Sequence, residues 1–253
     1  MRKFIAESWA MSMRCLRTMF RSPDAFGSAI ITPAAVMFLF GRIFAISMDF
    51  GDYSAINFIM AGIILQTIAQ ATTGTAISIN NDMTKGIIDR FSSMPIAKSA
   101  VLTGHVFASI VRNLITTSIA VGVAFLIGFR PQVGFIHGLI VIAILLLYML
   151  AITWIAVIAG LTAQNGESAG NKMFLLFIIP YLSSGFVPVE RLSGWMRVFA
   201  TYQPFTPIID SLRGLMLGIP VESSTIWIAV AWCAGFAVAA FIASVQVYKR
   251  RVS

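Results

Sequence analysis

The sequence contains very little charge. Only 11% of its 253 residues are Asp, Glu, Lys or Arg, whereas 58% are hydrophobic, and the mean hydropathy is +0.87. Soluble globular proteins carry about 25% charged residues. A deficit of this size excludes a soluble globular domain, because most of the surface must face lipid. The composition therefore predicts an integral membrane protein.

Cysteine and histidine are also scarce. Cys15 and Cys233 lie at opposite ends of the chain, and His105 and His137 are far from any cluster of similar residues. Zinc sites need three or four clustered ligands, and a disulfide framework needs several closely spaced cysteines. The sequence therefore predicts no metal site and no disulfide framework.

Motifs for ATP binding and catalysis are missing as well. The chain has no G-x-x-x-x-G-K-[ST] phosphate loop and no H-E-x-x-H motif. Its predicted spans contain no Asp or Glu, which disfavours a proton-relay carrier, because such relays use intramembrane carboxylates or histidines. An intramembrane enzyme is disfavoured by the same lack of paired catalytic groups. The chain has no visible energy source of its own.

Long apolar segments dominate what the sequence does contain. A transmembrane helix takes about 20 apolar residues, within a range of roughly 17–25. Six segments qualify, at 25–44, 53–79, 110–129, 133–161, 173–189 and 226–248. They predict an all-α integral membrane protein with six transmembrane helices in a single transmembrane domain over 1–253.

The basic residues predict the orientation. The net charge is +8, but Lys and Arg alternate with apolar spans instead of forming one continuous face, so nucleic acid is not the expected partner. Most of them lie in the two terminal tails and in the loops after spans 2 and 4. Cytoplasmic loops carry such an excess. We therefore expect a multi-pass protein of the cell membrane, a bacterial plasma membrane, with both termini in the cytoplasm.

Two regions are predicted to lie along the membrane surface. Within 1–21, apolar residues at helical spacing form one stripe, which predicts an interfacial amphipathic helix. This helix either forms a collar that contacts a partner or serves as a plain lipid anchor. The loop at 190–225 contains two amphipathic stretches, 191–202 and 207–217, which are too short to span. They predict two short helices that dip into the outer leaflet between spans 5 and 6.

A polar segment at 82–95 interrupts the apolar sequence on the cytoplasmic side. Met83, Ile87, Phe91 and Met94 step by four, four and three residues, so they form one apolar edge of a predicted helix that ends at Pro95. An exposed apolar edge on a short helix is typical of docking into a groove on a partner. The alternative is that this edge packs against the protein's own spans.

Polar side chains inside spans 2 and 5 are the candidates for a substrate path. Gln66 and Gln70 are four residues apart and share a helix face. Amides in lipid need partners, so this face should turn toward protein or a cavity. The alternative is that these groups join neighbouring helices, as polar residues in membranes commonly do. The candidate path residues are Asn57, Gln66, Gln70, Thr73, Ser183 and Ser184.

Several short motifs, taken in order, resemble a known family. They are Phe-Arg-Ser-Pro at 20–23, Lys-Gly-Ile-Ile-Asp-Arg at 85–90 with Met-Pro at 94–95, Ser-Ser-Gly-Phe-Val-Pro at 183–188, Trp-Met-Arg at 195–197, Pro-Phe-Thr-Pro at 204–207 and Asp-Ser-Leu-Arg at 210–213. Together they resemble the transmembrane subunit of an ABC transporter of the ABC-2 type, close to the daunorubicin-resistance permease group. One position departs from the pattern. Lys85 stands where the family often has an acidic residue, and Asp82 is the nearest acid.

The resemblance implies a division of labour between subunits. A separate ABC ATPase would hold ATP and Mg, so this chain would need no cofactor and would not be an enzyme. A second permease copy, in a homodimer or a heterodimer, would complete the path. The residues implied to couple to the ATPase are Met83, Lys85, Gly86, Ile87, Asp89, Arg90, Phe91, Met94 and Pro95. The expected function is export of a drug, lipid or lipid-linked glycan; the alternative is a membrane scaffold or sensor that transports nothing.

Overall fold

The computed structural model describes residues 12–14, 17, 31–32, 34–40, 54–86 and 98–252. All regular secondary structure in these residues is helical. The main helices are α1 (Ala55–Thr84), α2 (Lys98–Ile127), α3 (Phe135–Thr162), α4 (Gly166–Ile178), α5 (Gly194–Tyr202), α6 (Phe205–Leu217) and α7 (Ser223–Val252), with 3-10 turns at Ile179–Leu182 and Val189–Arg191. Residues 12–14, 17 and those described between 31 and 40 are also helical.

Four of these helices are long and apolar enough to cross a membrane. They are α1, α2 from Leu102 onward, α3 and α7 up to Arg251. They fall where the sequence predicts the second, third, fourth and sixth spans. The predicted first span at 25–44 is described only in part, and most of the predicted interfacial helix at 1–21 lies outside the described residues.

The helix near the predicted fifth span begins earlier than expected. Asn165 caps α4, because its side chain accepts a hydrogen bond of 2.8 Å from the backbone N–H of Ser168. Glu167 in the first turn adds a favourable charge at this helix end. The α-helix ends at Ile178, and Ser183 is already extended. The predicted range 173–189 therefore combines the second half of α4 with a 3-10 turn and an irregular segment.

Helix α1 is the centre of the bundle. It packs against α2, α3 and α4, and most of its length is buried. Small residues allow this close packing. A side-chain carbon added to Gly160 of α3 would lie 2.6 Å from the carbonyl oxygen of Ala76 in α1. Because α1 has protein on most of its sides, it is positioned to respond when any neighbouring helix moves.

The outer faces of the surrounding helices are strongly apolar. Leu126 of α2 is 88% exposed, Phe135 of α3 is 83% exposed and Trp227 of α7 is 72% exposed. Large apolar side chains in such numbers on the surface indicate contact with a membrane or another protein. The chain is a multi-pass membrane protein, and these faces suit lipid contact.

The predicted helix at 82–95 is wrong at its beginning. Asp82, Met83 and Thr84 form the last turn of α1, and the backbone N–H of Lys85 caps that turn by bonding to the carbonyl oxygen of Asn81 at 3.1 Å. Gly86 then takes a φ of +65°, the left-handed conformation that commonly ends a helix. The helix therefore stops before Ile87, so Met83 does not share one continuous helix with Phe91. Residues 87–97 lie outside the described part of the chain.

Candidate functional site

A buried carboxylate joins three segments where α1 ends. Asp82 is only 7% exposed. Its Oδ1 accepts a hydrogen bond of 2.7 Å from Arg14 Nη2, and its Oδ2 lies 3.1 Å from His105 Nε2. A buried charge is tolerated only when it is paired and hydrogen-bonded. We call Arg14, Asp82 and His105 the Asp82 cluster; it connects the N-terminal segment, α1 and α2.

The Asp82 cluster lies beside an apolar contact between helix ends. Ile79 of α1, Leu102 of α2, Leu161 of α3 and Tyr248 of α7 belong to one buried group. The basic last turn of α7, which contains Lys249, is therefore at the same end of the bundle as Asp82. Among the predicted coupling residues, Met83 packs half-buried against this group, Lys85 is exposed and Gly86 is half-buried.

The other predicted coupling residues fall outside the description. They are Ile87, Asp89, Arg90, Phe91, Met94 and Pro95. In the sequence His105 stands apart from other potential ligands, and no local spacing pairs it with Asp82. The available signal was that both residues lie near the facing ends of two consecutive spans. Such spans run antiparallel, so the end of one lies beside the beginning of the next.

Gln66, in the middle of α1, is a predicted path residue whose buried amide lies among aromatic rings. It is 3% exposed, its amide nitrogen bonds to the hydroxyl of Tyr181, and its Oε1 has no hydrogen-bond partner among the described residues. The Tyr181 ring stacks on Phe186 with centroids 4.6 Å apart, and Phe40 meets Phe186 edge-on at 5.4 Å. We call Phe40, Tyr181 and Phe186 the aromatic wall. The Gln66 amide, which has an unused acceptor, lies beside this wall at Tyr181.

The hydrogen bonds of Asn57 and Thr73 are directed elsewhere than that of Gln66. Asn57 Oδ1 accepts a hydrogen bond of 3.1 Å from the backbone N–H of Arg130, so it fixes the loop before α3. Thr73 Oγ1 donates to the carbonyl oxygen of Ala69 in its own helix at 3.1 Å. Gln70 is half-buried. Of the α1 candidates, Gln66 is the one whose side chain has a hydrogen bond to the aromatic wall among the described residues.

Other polar groups in the bundle form contacts between helices. Thr72 of α1 and Asn113 of α2 are joined by a hydrogen bond of 2.9 Å, and Ser109 of α2 lies 3.0 Å from Thr153 of α3. Their side chains are buried. These residues fit the interpretation as interhelical contacts, because in each pair the two side chains hydrogen-bond to each other.

The predicted path residues Ser183 and Ser184 lie in the irregular segment after the 3-10 turn and have different roles. Ser183 Oγ donates to the carbonyl oxygen of Pro180 and accepts from the backbone N–H of Gly185 at 3.1 Å, so it stabilises its own turn. Ser184 Oγ donates instead to Asp210 Oδ1 of α6 at 2.6 Å. Ser184 therefore links this segment to one of the two short helices.

A second charged cluster surrounds that contact. Arg213 Nη1 donates to Asp210 Oδ1 at 3.1 Å, Nε donates to the carbonyl oxygen of Phe58 in α1 at 3.0 Å, and Nη2 donates to the carbonyl oxygen of Ser184. The guanidinium carbon lies 3.8 Å from the centroid of the Phe58 ring. We call Phe58, Ser184, Asp210 and Arg213 the Arg213 cluster.

Burial alters the proton affinities within the Arg213 cluster. It raises the pKa of Asp210 above its ordinary value, and Arg213 and the hydrogen bond from Ser184 offset this effect only in part. Burial also lowers the pKa of Arg213 to about 10, although Asp210 acts in the opposite direction. Arg213 therefore stays charged at neutral pH. The sequence alone predicts no role for this pair, although the Asp-x-x-Arg spacing on an amphipathic helix is a signal for it.

An apolar cavity of about 90 Å³ lies between the 3-10 turn and α5. It borders the aromatic wall through Tyr181. Its lining residues are Tyr181, Leu182, Ser183, Val187, Leu192, Trp195, Met196 and Phe199. Trp195 is 71% exposed, so the aromatic surface continues from the cavity to the outside of the molecule.

The sequence is similar to known membrane proteins along most of its length. The model of the family described as ABC-2 type transporter matches residues 6–217. A daunorubicin resistance ABC transporter permease protein of Streptomyces coeruleorubidus is 29% identical over 182 residues, which cover 72% of this chain and 63% of that relative. A probable doxorubicin resistance ABC transporter permease protein of Mycobacterium tuberculosis is 27% identical over 255 residues, which cover 98% of this chain and 90% of the relative.

Proposed function

Because the chain belongs to the ABC-2 type transporter family, we propose that it is the permease subunit of an exporter driven by a separate ABC ATPase. The proposed cargo is a hydrophobic or amphiphilic compound that leaves the cell across the cytoplasmic membrane. The names of the two relatives, which refer to resistance to daunorubicin and to doxorubicin, support a drug as one such compound. Lipids and lipid-linked glycans are also hydrophobic or amphiphilic compounds, so the proposal includes them.

The position of α1 is the observation that carries this proposal. At one end its last turn contains Asp82, the first residue of the predicted coupling segment at 82–95. At the other end, the carbonyl oxygen of Phe58 is held by Arg213 of α6. A helix of 30 residues is about 45 Å long at a rise of 1.5 Å per residue. One continuous, buried helix thus connects the proposed ATPase contact with the opposite end of the bundle.

The charge distribution supports an orientation for this helix. Lys85 and the basic last turn of α7 lie at the Asp82 end. Positive residues are retained on the cytoplasmic side of membrane proteins. In the proposed orientation both termini and the coupling segment are cytoplasmic, and α5 and α6 lie at the outer leaflet.

The proposed mechanism begins in the partner ATPase, which would hold ATP and Mg. Closure of the ATPase displaces the segment at 82–95, and Asp82 passes the displacement to α2 through His105. Tilting of α1 then moves Gln66 and the Tyr181–Phe186 wall relative to a second permease copy, which would supply the opposite wall. Aromatic surfaces and the spare amide oxygen of Gln66 suit an amphiphilic compound better than a strongly charged one.

The test is ATP hydrolysis by the reconstituted complex of this chain and its ATPase in lipid vesicles. Doxorubicin, the drug in the name of the mycobacterial relative, serves as the probe. We expect hydrolysis to increase with doxorubicin concentration in the complex but not in the ATPase alone. A complex that assembles normally and hydrolyses ATP at one rate over a panel of drugs, lipids and glycolipids would favour the scaffold or sensor instead.

A further inference from the structure

The Arg213 side chain holds together three segments that are far apart in sequence. Its Nε donates to Phe58 O in α1 at 3.0 Å, its Nη2 donates to Ser184 O, and its Nη1 donates to Asp210 Oδ1 at 3.1 Å. Its side chain is only 11% exposed. Each nitrogen of the guanidinium therefore has a different partner, and two of the three partners are backbone carbonyl groups.

Only arginine can make this set of contacts. The guanidinium is planar and presents its N–H groups in a rigid fork, whereas the lysine ammonium is a compact point charge with rotatable donors. Lysine at position 213 could still pair with Asp210. It lacks the planar group that lies over the Phe58 ring while its separate nitrogens donate to two backbone carbonyls.

A close backbone contact lies beside this fork. A side-chain carbon added to Gly62 would be only 3.0 Å from Gly185 Cα, so α1 and the 183–188 segment are in close backbone contact at this point. Gly62 is one helical turn after Phe58. The segment is thus pressed against α1 at Gly62 and tied to the same helix at Phe58 through Arg213.

We propose that Arg213, oriented by Asp210, is a positioning residue that makes α6 and the 183–188 segment move together with the N-terminal end of α1 during transport. This inference rests on the proposed function, because it assigns the step by which a movement begun at the Asp82 end reaches the outer helices. Without the fork, α1 still tilts when the ATPase closes, but α6 and Ser184 no longer follow it.

Three variants in the complex with the ATPase test this role. R213K retains the charge and loses the fork, D210N retains an acceptor for Ser184 and loses the ion pair, and D210E restores the carboxylate. R197K is the matched control, because Arg197 lies exposed on the neighbouring helix α5. The measurement is doxorubicin transported per ATP hydrolysed in sealed vesicles, together with the rate of hydrolysis and the thermal stability of the complex.

We expect R213K to hydrolyse ATP within about twofold of the wild type but to transport about tenfold less doxorubicin per ATP, a change of the size found for residues that link distant sites. D210N should lower the ratio less, D210E should recover most of it, and R197K should leave it unchanged.

A wild-type ratio in R213K would overturn the positioning role. If R213K does not assemble, D210N decides in the same way, and failure of both to assemble would assign the cluster to folding alone and overturn the proposal. The proposed function fails separately, when the wild-type complex itself moves no compound of the drug, lipid or glycolipid panel.

Discussion

His105 Nε2 lies 3.1 Å from Asp82 Oδ2, so the beginning of α2 and the last turn of α1 are joined by a buried contact between two ionisable side chains. Arg14 completes the contact from the N-terminal segment at 2.7 Å. Three segments therefore meet at one carboxylate, immediately before the helix-ending turn at Lys85 and Gly86. In the proposed mechanism, the movement of the ATPase is transmitted to the transmembrane helices at this carboxylate.

Replacing Asp82 with Asn should weaken the bundle at this end. Asp82→Asn removes the charge that Arg14 and His105 share, and loss of a buried charged partner is strongly destabilising. Because Arg14 is 36% exposed and solvent screens part of the interaction, we expect a loss of about 1–3 kcal/mol. Thermal unfolding in detergent measures it. Glu222→Gln is the control, since Glu222 is exposed before α7; equal stability losses in the two variants would contradict the account.

The His105–Asp82 contact should also appear as an energetic coupling. In a double-mutant cycle of Asp82→Asn and His105→Gln, the two stability losses should be less than additive by about 0.5–3 kcal/mol, because contacting residues share one interaction. The measurement is the unfolding midpoint of the four proteins in one detergent. Strict additivity would mean that the two side chains do not interact.

Because the backbones of Gly62 and Gly185 are in close contact, adding a single methyl group at position 62 should destabilise the protein. In Gly62→Ala the added carbon would lie 3.0 Å from Gly185 Cα, and backbone cannot move aside as a flexible side chain can. We expect a loss of about 1–3 kcal/mol in thermal unfolding.

Gly122→Ala is the matched control for that substitution. Gly122 also lies within a long helix, α2, but nothing lies within 4 Å of the added carbon. Alanine favours helix over glycine by about 1 kcal/mol, so this variant should be neutral or slightly more stable. Similar losses of thermal stability in Gly62→Ala and Gly122→Ala would show that the close backbone contact at Gly62 does not affect stability.

Gln66→Leu separates the two interpretations of the α1 amide. If Gln66 contacts the substrate, this variant should lose most of the stimulation of ATP hydrolysis by doxorubicin while basal hydrolysis is retained. If it only joins helices, the result should be a stability loss of about 0.6 kcal/mol, typical of interhelical hydrogen bonds in membranes, with stimulation intact. Thr72→Val provides the comparison, because Thr72 bonds to Asn113 between α1 and α2.

The docking hypothesis for the 82–95 segment predicts that Phe91→Asp abolishes binding of the ATPase and transport while membrane insertion is unaffected. A charge in the centre of an apolar edge opposes its burial in a groove. Co-purification with a tagged ATPase measures binding. Tyr202→Asp is the control, because Tyr202 is 79% exposed on α5, where no ATPase contact is proposed. Normal co-purification of the Phe91 variant would end the docking hypothesis.

The sequence predicts those helices well that are marked by a long apolar stretch or by a clear amphipathic pattern. Hydropathy alone indicates α1, α2, α3 and α7. The sequence around 191–217 predicts two short helices close to the observed Gly194–Tyr202 and Phe205–Leu217, because prolines at 204 and 207 and the amphipathic stripes separate them. Hydropathy does not indicate the start of α4, because the polar residues of its first turns, capped by Asn165, resemble a loop.

The side-chain clusters were much harder to predict. Arg213 and Phe58 are 155 residues apart, and Arg14 and Asp82 are 68 residues apart. No local spacing indicates such contacts, since they depend on which helices pack together and in which register. The helix end at Gly86 is hard to predict for another reason. The step from Met83 to Ile87 fits a helix, but the left-handed glycine between them ends α1.

Transport itself is the most direct test of the central claim. Inside-out sealed vesicles that contain the chain and its ATPase should accumulate doxorubicin when ATP and Mg are added outside. They should not do so with a hydrolysis-deficient ATPase. This result would identify the chain as an ATP-driven export permease for a compound of this class. Normal assembly and ATP hydrolysis, with no ATP-dependent movement of doxorubicin or of a panel of lipids and glycolipids, would contradict the account.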